Sequence, residues 1–289
     1  MALDFQSVNC LKDFNIRNIV KQKSKEKKDI MLFVHMNNLQ NKIRSNYKGI
    51  GRNINNFYNN VYLPIHQQLM TIRITDSEIN NINQVTQIFN DYYERLKEFS
   101  TVNRITSQSK FESTFLEEMS SYLFKDLNEL KDGTLGVFNK RIFSGLKINS
   151  NGSVDIITKD VDFCIGKEIN LTIASQPLIS IVLPVVAVEV KTFLDATMFG
   201  EVKSSSRAIK NATPNAKTYV LMGYRALADS HIIAARNDSA LTEMFVLREN
   251  ANDPMHAEVL IDYWKEIMNS VHLVSIENPV GKIGRLLKR

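Results

Sequence analysis

The spacing of apolar residues divides the chain into a helical front half and a β-rich back half. Ile79, Ile82, Val85, Ile88, Phe89, Tyr92, Tyr93 and Leu96 recur every three to four positions, the mark of an amphipathic helix. Thr75 or Asp76 is placed to cap it, with Glu78 in its first turn. An earlier helix over Ile30 to Ile43 carries Leu32, Phe33, Met36, Leu39 and Ile43. In Phe111–Phe124, the residues Phe111, Phe115, Met119, Tyr122 and Leu123 share one face. Glu112 falls within that face at 100° per residue, Glu118 at its edge, and Glu117 points away.

From Gly133 the pattern changes to short β-rich runs separated by turn residues. Asn151-Gly152 signals a hairpin, followed by strands over Val154–Thr158 and Val161–Gly166 and a strongly apolar one over Val185–Thr192. A helix from about Ala196 to Asn211 ends before Pro214, and a strand over Thr218–Gly223 follows. One more strand, Glu243–Arg248, and an amphipathic helix, Ala257 to Val271, complete the order. That order predicts an α/β fold, a mixed sheet flanked by helices, behind an N-terminal helical region.

Composition narrows the class without naming it. A 289-residue chain with 44 % hydrophobic and 23 % charged residues is ordinary for a globular protein. The longest apolar stretch, Ile179 to Val188, is too short for a membrane helix, and the first residues lack the apolar core of a signal peptide. Cys10 and Cys164 cannot build a disulfide framework, so a cytoplasmic location is expected. The net charge of +5 is uneven: residues 1–52 carry +7, leaving −2 for the rest. A basic leading segment, with Lys23, Lys25, Lys27 and Lys28, suits contact with phosphates, although a solvated helix face has the same composition.

The chemistry-bearing residues lie at the strand ends. Alternation puts Glu189 and Lys191 on one face where an apolar strand emerges, and Asp162 sits 27 positions earlier on a short strand. If those strands pair, two carboxylates and an ammonium converge. Two carboxylates, with phosphate oxygens and waters, make a magnesium set, and the lysine can orient an attacking water. The Glu-x-Lys pattern alone is weak, since Glu26/Lys28, Glu129/Lys131 and Glu201/Lys203 repeat it in helical or polar surroundings. No HExxH, GxxxxGK[ST] or GxSxG motif points elsewhere.

Asp162…Glu189-x-Lys191 resembles the PD-(D/E)XK nucleases, with Val161 where the signature proline usually stands. A longer likeness runs through Ser113–Met119, Lys159–Phe163, Val188–Phe199 and Pro214–Ala216, and it resembles the subunits of BbvCI-type type II restriction endonucleases. The resemblance implies a PD-(D/E)XK core at 109–289 behind a DNA-contacting helical region at 1–108. It implies Mg²⁺-dependent hydrolysis of one strand of double-stranded DNA at a short asymmetric site, with a related second subunit cutting the other strand. Asp162 and Glu189 then bind the metal and Lys191 is catalytic. Glu112 or Glu118 is the candidate supporting acid.

Lys203, Arg207 and Lys210 form one stripe on the following helix, suited to DNA phosphates or simply to solvent. The asparagines of Arg52–Asn60 have the chemistry for base edges, or reflect composition alone. A non-catalytic assembly subunit and a repair or recombination nuclease are the alternative readings.

Overall fold

The computed structural model describes residues 31–173, 178–236 and 238–275. The leading lysines Lys23, Lys25, Lys27 and Lys28 lie outside these residues. The first described layer is helical: α1 (Val34–Arg44), α2 (Gly51–Phe57), α3 (Leu63–Thr71) and α4 (Asn81–Val102). A single π-helical turn, Tyr58–Tyr62, joins α2 to α3 and buries Tyr62. Thr75 and Asp76 do not cap α4. They open a separate 3₁₀ turn at Asp76–Glu78, and α4 begins after Asn80. The periodic residues from Ile82 to Leu96 are all buried, as their spacing requires.

Helix α5 (Phe111–Phe124) matches the apolar pattern end to end, but it is covered almost all round rather than on one face. It packs against α1 and α4 on one side and the sheet on the other. The short helix α6 (Asn128–Lys131) then leads into seven strands: β1 (Gly136–Phe138), β2 (Ile142–Ile148), β3 (Val154–Lys159), β4 (Phe163–Leu171), β5 (Ile179–Leu194), β6 (Lys217–Arg225) and β7 (Glu243–Val246). The Asn-Gly hairpin joins β2 to β3, with Gly152 at φ +81, where a Cβ would be strained.

Strand β5 is the axis of the sheet. It pairs antiparallel with β4, and parallel with β2 at Val182 and with β6 from Val186 onward. It begins at Ile179, six residues before the expected start, and runs through Pro184. Proline is tolerated there because the register shifts at Gly166, which faces Pro184. A Cβ on Gly166 would sit 2.5 Å from the Leu183 carbonyl oxygen, so only glycine allows this approach.

Helices α7 (Ala196–Ala212) and α8 (Asp229–Arg236) make the crossovers β5–α7–β6 and β6–α8–β7, both between parallel strands. Asp195 caps α7, accepting from the Met198 N–H at 2.8 Å. Helix α9 (Ala257–Ser275) closes the described fold and buries Tyr263 and Trp264 in the core. One hydrophobic cluster runs from Met31 to Val271, so the helices before and after residue 108 share a core with the sheet. Among the described residues, no helix is long and apolar enough to cross a membrane.

Candidate active site

The antiparallel register of β4 and β5 sets Phe163 opposite Val188. Asp162 is in a bend just before β4 rather than in a strand, and this lets its carboxylate reach across the end of the pairing. Its Oδ2 accepts from the Val190 backbone N–H at 2.7 Å and from Lys191 Nζ at 3.2 Å. Lys191 Nζ also donates to Glu189 Oε2 at 3.0 Å, and the Ser205 hydroxyl on α7 donates to Glu189 Oε1 at 3.3 Å. The ammonium is thus held between two carboxylates supplied by two strands. The three side chains are 25 %, 17 % and 26 % exposed for Asp162, Glu189 and Lys191, which leaves them open to a substrate.

Burial works against the Lys191 charge, but Asp162 and Glu189 outweigh it and hold its pKa above the ordinary lysine value. Lys191 is therefore a hydrogen-bond donor at neutral pH, not a base. Burial also raises the pKa of Glu189, and the Asp162 carboxylate adds to the effect against Lys191 and Ser205.

The acid that joins this group from α5 is Glu117. Burial pushes its pKa up to about 8, the Asp162 and Glu189 carboxylates push the same way, and Lys110 and Lys191 oppose them. A helical wheel turns Glu117 away and leaves Glu112 and Glu118 as the candidates, because it treats the side opposite the apolar face as meeting water. Here that side meets the sheet. Glu118 points into the helical layer and is fully buried. Its Oε2 accepts from the backbone N–H groups of His35 and Met36, at 2.8 and 3.0 Å, and its Oε1 from the Tyr62 and Tyr122 hydroxyls, at 2.7 and 2.8 Å. Glu112 accepts from Tyr93 at 2.7 Å and lines a different cavity.

The basic stripe of α7 is likewise engaged elsewhere. Lys203 and Arg207 pair with Asp238 at 2.9 and 3.0 Å, and Lys210 donates to the Ser239 carbonyl at 2.7 Å. The part of α7 that faces the acids is Glu201, Val202 and Ser205, which with Lys159 and Asp160 border an open cleft of about 550 Å³ over Glu189 and Lys191. Asn53, Asn55, Asn56, Asn59 and Asn60 are exposed along α2 and the π turn.

A divalent cation fits this chemistry. Burial and the Asp162 and Glu189 carboxylates hold Glu117 towards its protonated form, and burial and Asp162 also raise Glu189, so a bound cation would favour ionisation of the group. Among the described residues there is no group of three or more histidine, cysteine, aspartate or glutamate side chains arranged to hold a metal unaided. A hard cation such as Mg²⁺ does not need one, since one or two carboxylates suffice when water and phosphate complete the shell.

None of the curated proteins compared with the chain gives a significant match. Among solved structures, the chain is similar to one described as the native BbvCI A2B2 tetramer at low resolution, with a TM-score of 0.63 at 17 % identity over 88 % of this chain and 99 % of that one. At that identity the likeness shows a shared fold. The family described as Bpu10I restriction endonuclease matches residues 108–259, from the turn before α5 into α9. The stretch contains every strand, the acids and the lysine, and it exceeds half of the 289 residues, so the chain belongs to the Bpu10I restriction endonuclease family and with it to the type II site-specific nucleases.

Proposed function

We propose that the chain is one cutting subunit of a two-chain enzyme, acting in the cytoplasm. It hydrolyses one strand of double-stranded DNA at a short asymmetric site with Mg²⁺, while a related second subunit cuts the other strand. The observation that carries this reading is the Lys191 ammonium held between Asp162 and Glu189, at 3.2 and 3.0 Å, at the open end of a buried strand. A retired site would have no reason to keep a half-buried ion-paired trio of this composition.

Asp162 and Glu189 would hold the metal, which when bound supplies neutralisation of the scissile phosphate and acidification of a water. The chain's own groups do the positioning. Val190 N–H fixes the Asp162 carboxylate and Ser205 fixes Glu189. Lys191, kept charged by its neighbours, donates hydrogen bonds to the attacking water and to a phosphate oxygen. The attacking water gives one proton to solvent as its oxygen bonds to phosphorus, one P–O ester bond breaks, and the departing oxygen takes up a proton from solvent. Glu117 is the supporting acid of this site, in place of Glu112 or Glu118. The helical region 1–108 grips the DNA backbone, and Lys159 at the rim of the cleft offers a phosphate contact.

The test is supercoiled plasmid DNA incubated with the chain and its related partner subunit in Mg²⁺. Linear product that disappears with chelator supports the reading. Cleavage unchanged in excess chelator overturns it.

A further inference from the structure

Glu112 stands apart from the strand-end acids and belongs to a second cavity, of about 260 Å³. Ser100 at the end of α4, Glu112 at the start of α5, Phe193 on β5 and Tyr224 on β6 all line it. Phe193 and Tyr224 are register partners in the parallel β5–β6 pair, and their rings stack with centroids 5.8 Å apart and planes 24° from parallel. Both rings are half-buried, so an aromatic platform borders the cavity.

Glu112 is anchored from behind. Tyr93 donates to its Oε2 at 2.7 Å, while the buried Arg248 donates to the Tyr93 oxygen at 2.6 Å and lies over the Tyr93 ring at 4.1 Å. Among the described residues no carboxylate pairs directly with Arg248, so the tyrosine relays its charge to Glu112 and leaves Oε1 as an acceptor. The Ser100 hydroxyl is buried without a hydrogen-bond partner.

The cavity is smaller than the roughly 300–1,000 Å³ typical of drug-sized ligands. A stacking face and a fixed carboxylate acceptor bordering that volume are the groups that hold a single nucleobase by its face and its edge. The place is also right. Phe193 is two residues beyond Lys191 on β5, about 7 Å along the strand, comparable with two base steps at about 3.4 Å each.

We propose that this cavity receives one unstacked base of the DNA beside the scissile phosphate, and that Glu112 accepts from its exocyclic amino group. The base is then adenine, cytosine or guanine, since thymine has no such group. The proposal rests on the nuclease reading above, and Glu112 acts in it as a specificity residue with no part in metal binding.

Sequencing the ends of plasmid DNA cut by the assembled enzyme first gives the site. If no DNA is cut in Mg²⁺ or Mn²⁺, with and without the partner, the nuclease reading fails and this proposal with it. Affinity for the site duplex is then measured in Ca²⁺, with an abasic nucleotide placed in turn opposite each base within three positions of the cut. A base that must leave the stack does so more easily once its pairing partner is gone, so one position should tighten binding by about tenfold. Phe193→Leu or Glu112→Gln should remove that tightening while leaving metal affinity unchanged, and loss in either variant supports the pocket. No tightened position, a tightened position opposite thymine, or tightening retained in both folded variants would overturn it.

Discussion

Glu117 and Glu118 are consecutive on α5, yet they belong to opposite kinds of environment. Glu118 lies in the helical layer, where four donors meet its two oxygens, two of them N–H groups in the first turn of α1. His35 is part of the same closed network, bonded to Thr114 and Tyr92, and burial lowers its pKa to about 3, so it stays neutral. Glu117 faces the sheet, where burial first and then the Asp162 and Glu189 carboxylates make it hard to ionise, against Lys110 and Lys191. A buried acid whose donors are all supplied is architecture, because moving anything would leave a donor unmet. A cluster of acids that raise one another's pKa beside an opening to solvent is costly to ionise until something positive arrives. That difference separates the packing side of α5 from the side that borders the candidate site.

The largest effects should come from the strand-end cluster. Asp162→Asn or Glu189→Gln should remove several kcal/mol of transition-state stabilisation, on the order of 10³-fold in cleavage rate. The melting temperature should hold or rise, since the change relieves repulsion. Plasmid cleavage and thermal melts read the two sides, and near-normal cutting would remove these residues from the site. Next, an assembled complex with Lys191→Ala in this chain should bind its site and accumulate nicked circles without linear DNA. Linear product at the wild-type rate would show that Lys191 takes no part, and loss of both cuts would show that the two centres are coupled.

The neighbouring pair on α5 gives the sharper comparison. Glu117→Gln should slow cleavage by about 10–100-fold with stability preserved. Glu118→Gln should do the reverse, costing about 1–3 kcal/mol because an amide cannot accept from all four donors, while activity per folded molecule is kept. Rates and urea unfolding on the two variants decide it; equal effects in both would erase the contrast.

A smaller pH effect follows from Glu118. Burial pushes its pKa up to about 7 from an ordinary 4.5, against the four donors. The folded chain thus holds a proton over that interval which the unfolded chain has released. This group adds stability as pH falls from about 7 towards 4.5 and withdraws it as pH rises. Unfolding at pH 5 and pH 8 should show that slope in the wild type and a flatter one in Glu118→Gln. The smallest effect is expected at Arg207, whose exposed pairing with Asp238 should contribute no more than about 1 kcal/mol.

The amino-acid order by itself determined much of the fold and the centre of the candidate site. Periodicity located α4, α5, α7 and the C-terminal helix to within a few residues, because burial on a helix recurs every three to four positions whatever the partner. The run into Glu189-Val190-Lys191 was legible because strand alternation forces i and i+2 onto one face. What depends on a second surface was not legible. Strand β5 passes through Pro184 only because Gly166 lets the neighbouring backbone close in, a long-range fact invisible in either local stretch. The stripe of Lys203, Arg207 and Lys210 was correct as a stripe, but Asp238 and Ser239, distant in sequence, claim it. The choice among Glu112, Glu117 and Glu118 also lay beyond a helical wheel, which has one inside and one outside. Helix α5 is packed on both sides, so the acids face different surroundings, and only the tertiary structure decides which of them meets the strand-end trio.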